Sequence, residues 1–235
     1  MSRHYEFYRA QYDPFHPEGI RRMESFISWL PRFISPGWKV LDLGCGTGIS
    51  SFALCKLNCQ VVGVDIREDA INQAREYAEK LHLPVTFAVM DMRELHFPSG
   101  EFDAVTLLGF PMPHFSIKDF DAIASSVQKV LKAKGVFLIE FIDWLALLFH
   151  RYEKSLVEES GGKILFSFHS DLNTREGYIE RKFFEPENPK PFQAQLYLWA
   201  PFLLEFVLYK NHFENIILEQ RGGDAWIASA HSLPG

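Results

Sequence analysis

The sequence predicts an α/β protein with a doubly wound sheet, helices on both faces, and an antiparallel β insert after the fifth strand. Short apolar runs alternate with longer segments of helical period, which is typical of a parallel sheet wrapped by helices. The runs before the insert are apolar enough to be buried on both faces of the sheet. With 235 residues, 47% of them hydrophobic, the chain is long enough for one large domain that carries an inserted subdomain.

Seven apolar runs are predicted to form the strands of the main sheet. Five precede the insert and two follow it, so the chain leaves the sheet once and then returns to it. The runs are residues 38–43, 60–64, 85–89, 102–108 and 136–141, followed by residues 215–219 and 225–230.

Segments of helical period connect these strands. Residues 70–81 repeat apolar positions at helical spacing, and Glu68 and Asp69 stand before them, where the helix dipole favours acids. Residues 120–131 show the same period before a glycine that can end a helix. An amphipathic helix is predicted over residues 20–34, and a further helix around residues 200–211.

The chain is predicted to divide into three regions. Residues 1–37 form an N-terminal helical cap, while residues 38–150 and 199–235 form the core. Residues 151–198 form the insert, because three β-like runs there are separated by polar turns rich in Gly and Pro. These runs are residues 164–169, 178–184 and 193–198. We expect the insert to act as a lid over a substrate.

Composition and charge disfavour several classes of function. The net charge is −6 and no run of Lys or Arg exceeds two residues, so nucleic acid is not an expected partner. The three cysteines match neither a disulfide set nor a zinc motif, and no metal is expected. The N-terminus lacks the apolar stretch of a signal peptide, and no apolar run is long enough to span a bilayer. We therefore expect a cytoplasmic protein without a membrane partner, as a monomer or homodimer.

The most informative segment is residues 40–48, an apolar run that ends in alternating glycines and leads into a helix. Glycine lets a ligand approach the backbone closely, and free N–H groups at a helix start favour an anionic group. A dinucleotide motif would have a small third residue where Ile49 stands. Asp42 would repel a pyrophosphate but attract an ammonium group. S-adenosylmethionine has an ammonium group and no phosphate, so the segment favours it over NAD.

Residues 40–48 resemble motif I of the class I S-adenosylmethionine-dependent methyltransferases, and the likeness extends over most of the chain. The resemblance implies a Rossmann-like seven-stranded sheet, S-adenosylmethionine as the cofactor, and direct transfer of its methyl group to a small-molecule acceptor. Within this segment it assigns cofactor binding to Asp42, Gly44, Cys45, Gly46 and Gly48.

The same resemblance implies cofactor contacts at the ends of the next strands. Asp65 would accept hydrogen bonds from the two ribose hydroxyls, and Ile66 would pack on the adenine. Asp91 would meet the adenine amino group, with Met92 beside the ring. Leu108, at the end of the fourth strand, would face the methionine part of the cofactor.

Residues outside the sheet complete the expected site. Tyr12 belongs to an N-terminal segment that, in similar small-molecule enzymes, closes over the cofactor and can hydrogen-bond its methionine end. His114 follows the fourth strand and is the expected catalytic base if the acceptor is a hydroxyl or a protonated amine. Four side chains of the insert could contact a substrate: His169, Tyr178, Arg181 and Tyr197.

Other functions stay open on the sequence alone. The loop after the fourth strand lacks the Asn/Asp-Pro-Pro-Tyr/Phe signature of methyltransferases that act on DNA bases, which disfavours that activity. The alternatives are a protein or RNA methyltransferase, and a module that binds the cofactor without transferring methyl groups. An NAD oxidoreductase conflicts with the spacing of the glycines and with Asp42.

Overall fold

The structure, a computed structural model, describes residues 6–150 and 152–233. The outer limits of the predicted cap and core, and residue 151 at the start of the predicted insert, lie outside this part of the chain. The strands within it are β1 (Lys39–Leu43), β2 (Gln60–Asp65), β3 (Thr86–Val89), β4 (Phe102–Leu107), β5 (Leu131–Ile142), β6 (Ser155–Ser160), β7 (Lys163–Asn173), β8 (Tyr178–Glu185), β9 (Asn188–Tyr197), β10 (Glu214–Gly222) and β11 (Ala225–His231).

The main sheet has seven strands in the order β10-β11-β5-β4-β1-β2-β3. Strands β1 to β5 pair in parallel, whereas β11 joins β5, and β10 joins β11, in the antiparallel sense. The chain order reverses between β1 and β4, and a crevice at the carboxyl ends of the strands is expected there. The predicted doubly wound α/β fold is confirmed.

Helices cover both faces of the main sheet, as predicted. Buried side chains of the first three helices pack on one face, and those of the fourth and sixth helices pack on the other. No helix within the described ranges is long and apolar enough to cross a membrane. The helices are α1 (Pro17–Trp29), α2 (Ile49–Lys56), α3 (Glu68–Leu81), α4 (Ile117–Val130), α5 (Trp144–His150) and α6 (Pro201–Lys210).

Local sequence signals set where these helices begin. Helix α1 begins with Pro17, and His16 before it accepts a hydrogen bond from Glu18 N at 3.3 Å. Helix α4 begins with a capping box, in which Ser116 Oγ accepts from Asp119 N at 3.1 Å and Asp119 accepts from Ser116 N. At the N-termini of both helices, a side chain therefore accepts a hydrogen bond from a backbone N–H group that has no partner within the helix.

The insert forms a separate antiparallel sheet of four strands in the order β6-β7-β8-β9. The three predicted β-like runs correspond to β7, β8 and β9. Strand β6 precedes these runs and was not predicted, because it carries only two large apolar residues, Leu156 and Val157, among acids and serines. Its pairing with β7 supplies the order that its own sequence does not indicate.

The N-terminal segment packs against this second sheet. Phe7 is buried against Leu165 and Phe183 of the insert. Tyr8 Oη donates a 2.7 Å hydrogen bond to Glu158, and the carboxylate of Glu18 accepts one from Gly161 N at 3.2 Å. Segments far apart in sequence therefore share contacts above the carboxyl ends of the main sheet.

Replacing Gly48 by alanine should destabilise the fold more than the same change at Gly37. Both glycines have positive φ, +96° and +84°, so each alanine should cost about 1 kcal/mol in backbone strain. A Cβ at Gly48 would lie 2.7 Å from Phe52 Cζ and 3.0 Å from Phe87 Cζ, whereas one at Gly37 meets nothing within 4 Å. Overpacking should add about 1–3 kcal/mol to the loss at Gly48, measured by urea unfolding. Equal losses would contradict this account.

Candidate functional site

The glycine turn, residues 44–48, connects β1 to α2 and is held in place by backbone hydrogen bonds. Cys45 N donates to Val64 O at 3.0 Å, and Gly48 N donates to Cys45 O at 2.9 Å. Gly46 N donates to Asp65 Oδ2, also at 2.9 Å. The turn is thus joined to the end of the neighbouring strand β2.

Asp42 lies beneath this turn and is completely buried. Its Oδ2 accepts hydrogen bonds of 2.6 Å from Ser50 and Ser51, and its Oδ1 accepts one of 2.9 Å from Thr106. Burial raises the pKa of this carboxyl, and the three hydroxyl groups only partly oppose that effect. The expected direct contact with a ligand ammonium group is therefore wrong, because no surface of Asp42 is accessible. The side chain instead fixes α2 and β4 against β1.

Asp65 at the end of β2 is nearly buried and engaged on both oxygens. Oδ2 receives Gly46 N, and Oδ1 accepts from Arg67 N at 2.9 Å and from Arg67 Nε at 3.3 Å. The next residue, Ile66, is 61% exposed. An acid held in place by the glycine turn therefore adjoins an exposed apolar side chain.

Asp91 and Met92 follow β3 on the adjacent strand end. Both carboxylate oxygens of Asp91 accept from Arg93, the shortest bond being 2.7 Å from Nη2. These hydrogen bonds hold the pKa of Asp91 below its usual value. Met92 Cε lies 3.2 Å from where a Cβ on Gly44 would be, so it packs against the glycine turn.

A narrow cleft of about 70 Å³ lies at the carboxyl ends of β1 and β4. Six of the residues singled out from the sequence line it, whereas Asp42, Gly48 and the four residues at the ends of β2 and β3 do not. The six are Tyr12, Gly44, Cys45, Gly46, Leu108 and His114.

A large cavity of about 780 Å³ continues from this cleft. It is bounded by α1, the loop after β4, the end of β5, and strands β6 and β9 of the insert. His114, Tyr12 and Arg22 line both spaces, so the cleft and the large cavity meet at these side chains.

Two charged residues that the sequence analysis did not select stand at this junction. Glu140 on β5 is 3% exposed and accepts 2.8 Å hydrogen bonds from Gly109 N and Arg221 Nη1. Burial raises its pKa, although Arg221 and Arg22 oppose the shift. The guanidinium of Arg22 packs on the Tyr12 ring, with Cζ 4.9 Å from the ring centroid, and also against Gly109. The sequence did contain a signal for Glu140, because it is an acid within the otherwise apolar run 136–141.

An inner cavity of about 440 Å³ lies between the insert and α5. It shares Tyr8, Trp144, Glu158 and Leu196 with the large cavity. Of the four insert residues named from the sequence, Arg181 lines this space.

The other three insert residues make contacts elsewhere. His169 Nδ1 is 2.8 Å from Tyr152 Oη, and the rings of Tyr178 and Tyr197 pack edge to face with centroids 5.6 Å apart. In the part of the chain that the structure describes, no group of three His, Cys, Asp or Glu side chains could hold a metal ion.

Residues 40–135 match a family model whose description is methyltransferase domain. These residues form a methyltransferase domain. The domain spans β1 to the beginning of β5 and contains the glycine turn, Asp65 and Asp91. Tyr12, Arg22 and the whole insert lie outside the match.

Three relatives are similar in sequence to part of this chain. YqeM of Bacillus subtilis (strain 168) is 30% identical over 119 residues, 50% of this chain and 47% of that protein. The sterol 24-C-methyltransferase ERG6B of Gibberella zeae is 31% identical over 147 residues, 61% and 37% of the two chains. The ribosomal protein L11 methyltransferase of Burkholderia ambifaria (strain MC40-6) is 40% identical over 80 residues, which are 34% of this chain and 25% of that protein. The chain spans less than half the length of these curated relatives.

A solved structure matches the chain over its full length. The protein PH0226 from Pyrococcus horikoshii OT3 is 27% identical, with a TM-score of 0.81, and the match covers 100% of both chains. The combination of methyltransferase domain, N-terminal segment and insert is therefore shared with another protein.

Replacing Asp42 by asparagine should change how stability depends on pH. The pKa of Asp42 is higher in the folded chain than in the unfolded chain, so the wild-type protein loses stability as pH rises from about 4 through the folded pKa. The asparagine variant lacks this loss. Its free energy of unfolding relative to wild type should therefore improve as pH rises, as measured by urea unfolding between about pH 2.5 and pH 8.

Asp103→Asn is the matched control with the opposite sign. Partial burial raises the pKa of Asp103, but Lys132 Nζ at 2.6 Å and Lys39 N at 2.8 Å outweigh it and hold the pKa below its usual value. Wild-type protein therefore gains stability as pH rises from the folded pKa to about 4 and slightly above. The free energy of unfolding of the Asp103 variant, relative to wild type, should therefore fall as pH rises through that acidic window. If the relative free energies of the two variants changed with pH in the same direction, the assigned pKa shifts would be contradicted.

Proposed function

We propose that this protein is an S-adenosylmethionine-dependent methyltransferase that acts on a small molecule. The observation that carries the proposal is the 2.9 Å hydrogen bond from Gly46 N to Asp65 Oδ2, which joins the glycine turn to an acid at the next strand end. Both groups lie at the carboxyl ends of parallel strands, where open α/β sheets bind ligands. The match of residues 40–135 to a methyltransferase domain supports the same cofactor.

The residues beside the cleft fit the adenosyl half of this cofactor. Gly44 and Gly46 have positive φ and leave the backbone open to a ligand. Ile66 and Val89 are 61% and 46% exposed, so an adenine ring between these strand ends would cover apolar surface that water otherwise meets. The carboxylate of Asp65 would accept the ribose hydroxyls in place of Arg67 Nε.

The methionine half would extend along the cleft. Leu108 and Cys45 give this space apolar walls, and the guanidinium of Arg22 suits a carboxylate because it can donate two parallel hydrogen bonds. Tyr12 holds Arg22 in position through the contact between ring and guanidinium.

Bound S-adenosylmethionine would supply a methyl group on a sulfonium, already activated for in-line attack. The protein's contribution is to hold the acceptor in line and to keep water away. His114 lines both the cleft and the large cavity, where an acceptor proton would leave. Its imidazole would take that proton as the acceptor atom bonds to the methyl carbon and the carbon–sulfur bond breaks.

A small-molecule acceptor is proposed because of the size and the walls of the large cavity. The insert and the N-terminal segment both contribute to its walls, and its volume of about 780 Å³ falls in the usual range for small-molecule sites. The net charge of −6 disfavours RNA. A protein acceptor is the second candidate.

Replacing Asp65 by alanine should remove cofactor binding. The change deletes the acceptor for the ribose hydroxyls and for Gly46 N, and hydrogen bonds to a charged group contribute about 1.5–3 kcal/mol each. The affinity for S-adenosylhomocysteine, measured by calorimetry, should fall by about 100-fold or more. Asp103→Asn, at the opposite end of β4, is the control and should leave the affinity unchanged. An Asp65 variant that binds as well as wild type would reject the ribose assignment.

Replacing His114 by alanine should slow methyl transfer without weakening cofactor binding. A lost general base typically costs about 10²–10⁴ in rate. The measurement is the release of S-adenosylhomocysteine with the best substrate from a panel of small amines, phenols and carboxylic acids. His96→Ala, on an exposed loop, is the control. Wild-type rates in the His114 variant would show that the base lies elsewhere, and tight cofactor binding with no transfer to any compound would favour a binding module.

A further inference from the structure

Arg181 on β8 is a buried cation without a counter-ion. The side chain is 4% exposed, and no carboxylate of the described residues lies within 4.0 Å of its guanidinium. Buried charges in proteins are ordinarily paired, because removing an ion from water is energetically costly. Its place in the fold therefore calls for a specific explanation.

The hydrogen bonds of Arg181 do not supply the missing charge. Nη1 donates to Glu153 O at 3.0 Å, and Nη2 donates to Ser167 O at 3.3 Å and Ser167 Oγ at 2.9 Å. All three acceptors are neutral atoms. A guanidinium has five N–H groups, and Nε has no partner. These contacts, together with the Tyr152 ring whose centroid is 5.6 Å from Cζ, fix the side chain in one position but supply no negative charge within ion-pair distance.

The guanidinium lines the inner cavity, whose remaining walls are mostly apolar. Trp144, Leu147, Leu156 and Phe183 contribute to them. The volume of about 440 Å³ is sufficient for a small organic molecule. Because this cavity shares four lining residues with the large cavity, a ligand could extend from Arg181 towards His114.

Two acids also line the inner cavity, and neither forms an ion pair with Arg181 within 4.0 Å. Glu153 is exposed, so water screens its carboxylate. Glu158 accepts the hydroxyl of Tyr8 at 2.7 Å. Burial, and then this hydrogen bond, raise the pKa of Tyr8, which keeps the hydroxyl a donor to Glu158.

We infer that Arg181 and the inner cavity form a subsite for a carboxylate, and that the methyl acceptor is a small organic acid with an apolar body. The inference rests on the proposed function and specifies its substrate class. A carboxylate beside the guanidinium would give the buried charge its partner, while the apolar walls would cover the body of the ligand. The acceptor atom would then lie away from Arg181, towards the cofactor cleft.

The test compares organic acids with their own amides on the full chain. Phenylacetate and hexanoate are the acid probes, and phenylacetamide and hexanamide are their neutral counterparts of nearly equal shape. In the presence of S-adenosylhomocysteine, each acid should bind wild-type protein about tenfold or more tightly than its amide. Arg181→Gln should abolish that preference, and Arg181→Lys should retain part of it. Binding is measured by ligand-observed nuclear magnetic resonance and by thermal shift.

Lys182→Gln is the matched control. Lys182 is the next residue on β8, so its side chain points to the other face of the insert sheet. The substitution Lys182→Gln removes one positive charge, as Arg181→Gln does. The inference is overturned if wild-type protein binds the acids no better than the amides, or if the Lys182 variant loses the preference as fully as the Arg181 variant. The wild-type comparison decides even if Arg181→Gln does not fold. Failure to bind S-adenosylhomocysteine would instead reject the proposed function, and the acid–amide comparison can be repeated without it.

Discussion

The buried carboxylate of Asp42 is the constraint from which the rest of the site follows. Two hydroxyls at the start of α2 and one on β4 converge on its oxygens, so a strand, the following helix and the adjacent strand meet at one point. These hydrogen bonds fix the path of the glycine turn, which then directs Gly46 N towards Asp65. A buried charge of this kind is costly unless each lone pair finds a donor, and serine and threonine hydroxyls supply donors without adding a second charge.

The space beside that turn is completed by parts of the chain distant in sequence. Arg22 on α1 packs on the loop after β4, and Glu140 on β5 accepts the N–H of Gly109 in the same loop. The insert then closes the far wall through the contact of Tyr8 with Glu158. The methyltransferase domain at residues 40–135 provides the turn and the strand ends. The remainder of the chain determines what else fits between them.

The elements predicted well from the sequence are those with strong local patterns. The five parallel strands and helix α3 carry apolar periods that require burial, and residues 40–48 carry glycines at the three positions where the backbone has positive φ. Strand β6 was missed because its order comes from pairing with β7, and an isolated edge segment shows no period of its own. The role of Asp42 was misjudged because sequence spacing gives the position of a carboxylate but not its accessibility. Glu140 was missed for a related reason, since its partners Gly109 and Arg221 are far away along the chain.

Two buried ionisable groups near the cavities illustrate how charge can direct a ligand. Glu140 has Arg221 at 2.8 Å and an N–H donor on its other oxygen, so its charge is compensated within the protein. Arg181 is held as firmly, but only by neutral acceptors. A compensated group shapes a cavity, whereas an uncompensated one also attracts a partner of opposite charge. Because Arg181 stands at the inner end and His114 at the cleft, a ligand drawn in by its acid group would present its other end to the methyl donor. The same two residues would then determine both orientation and reactivity.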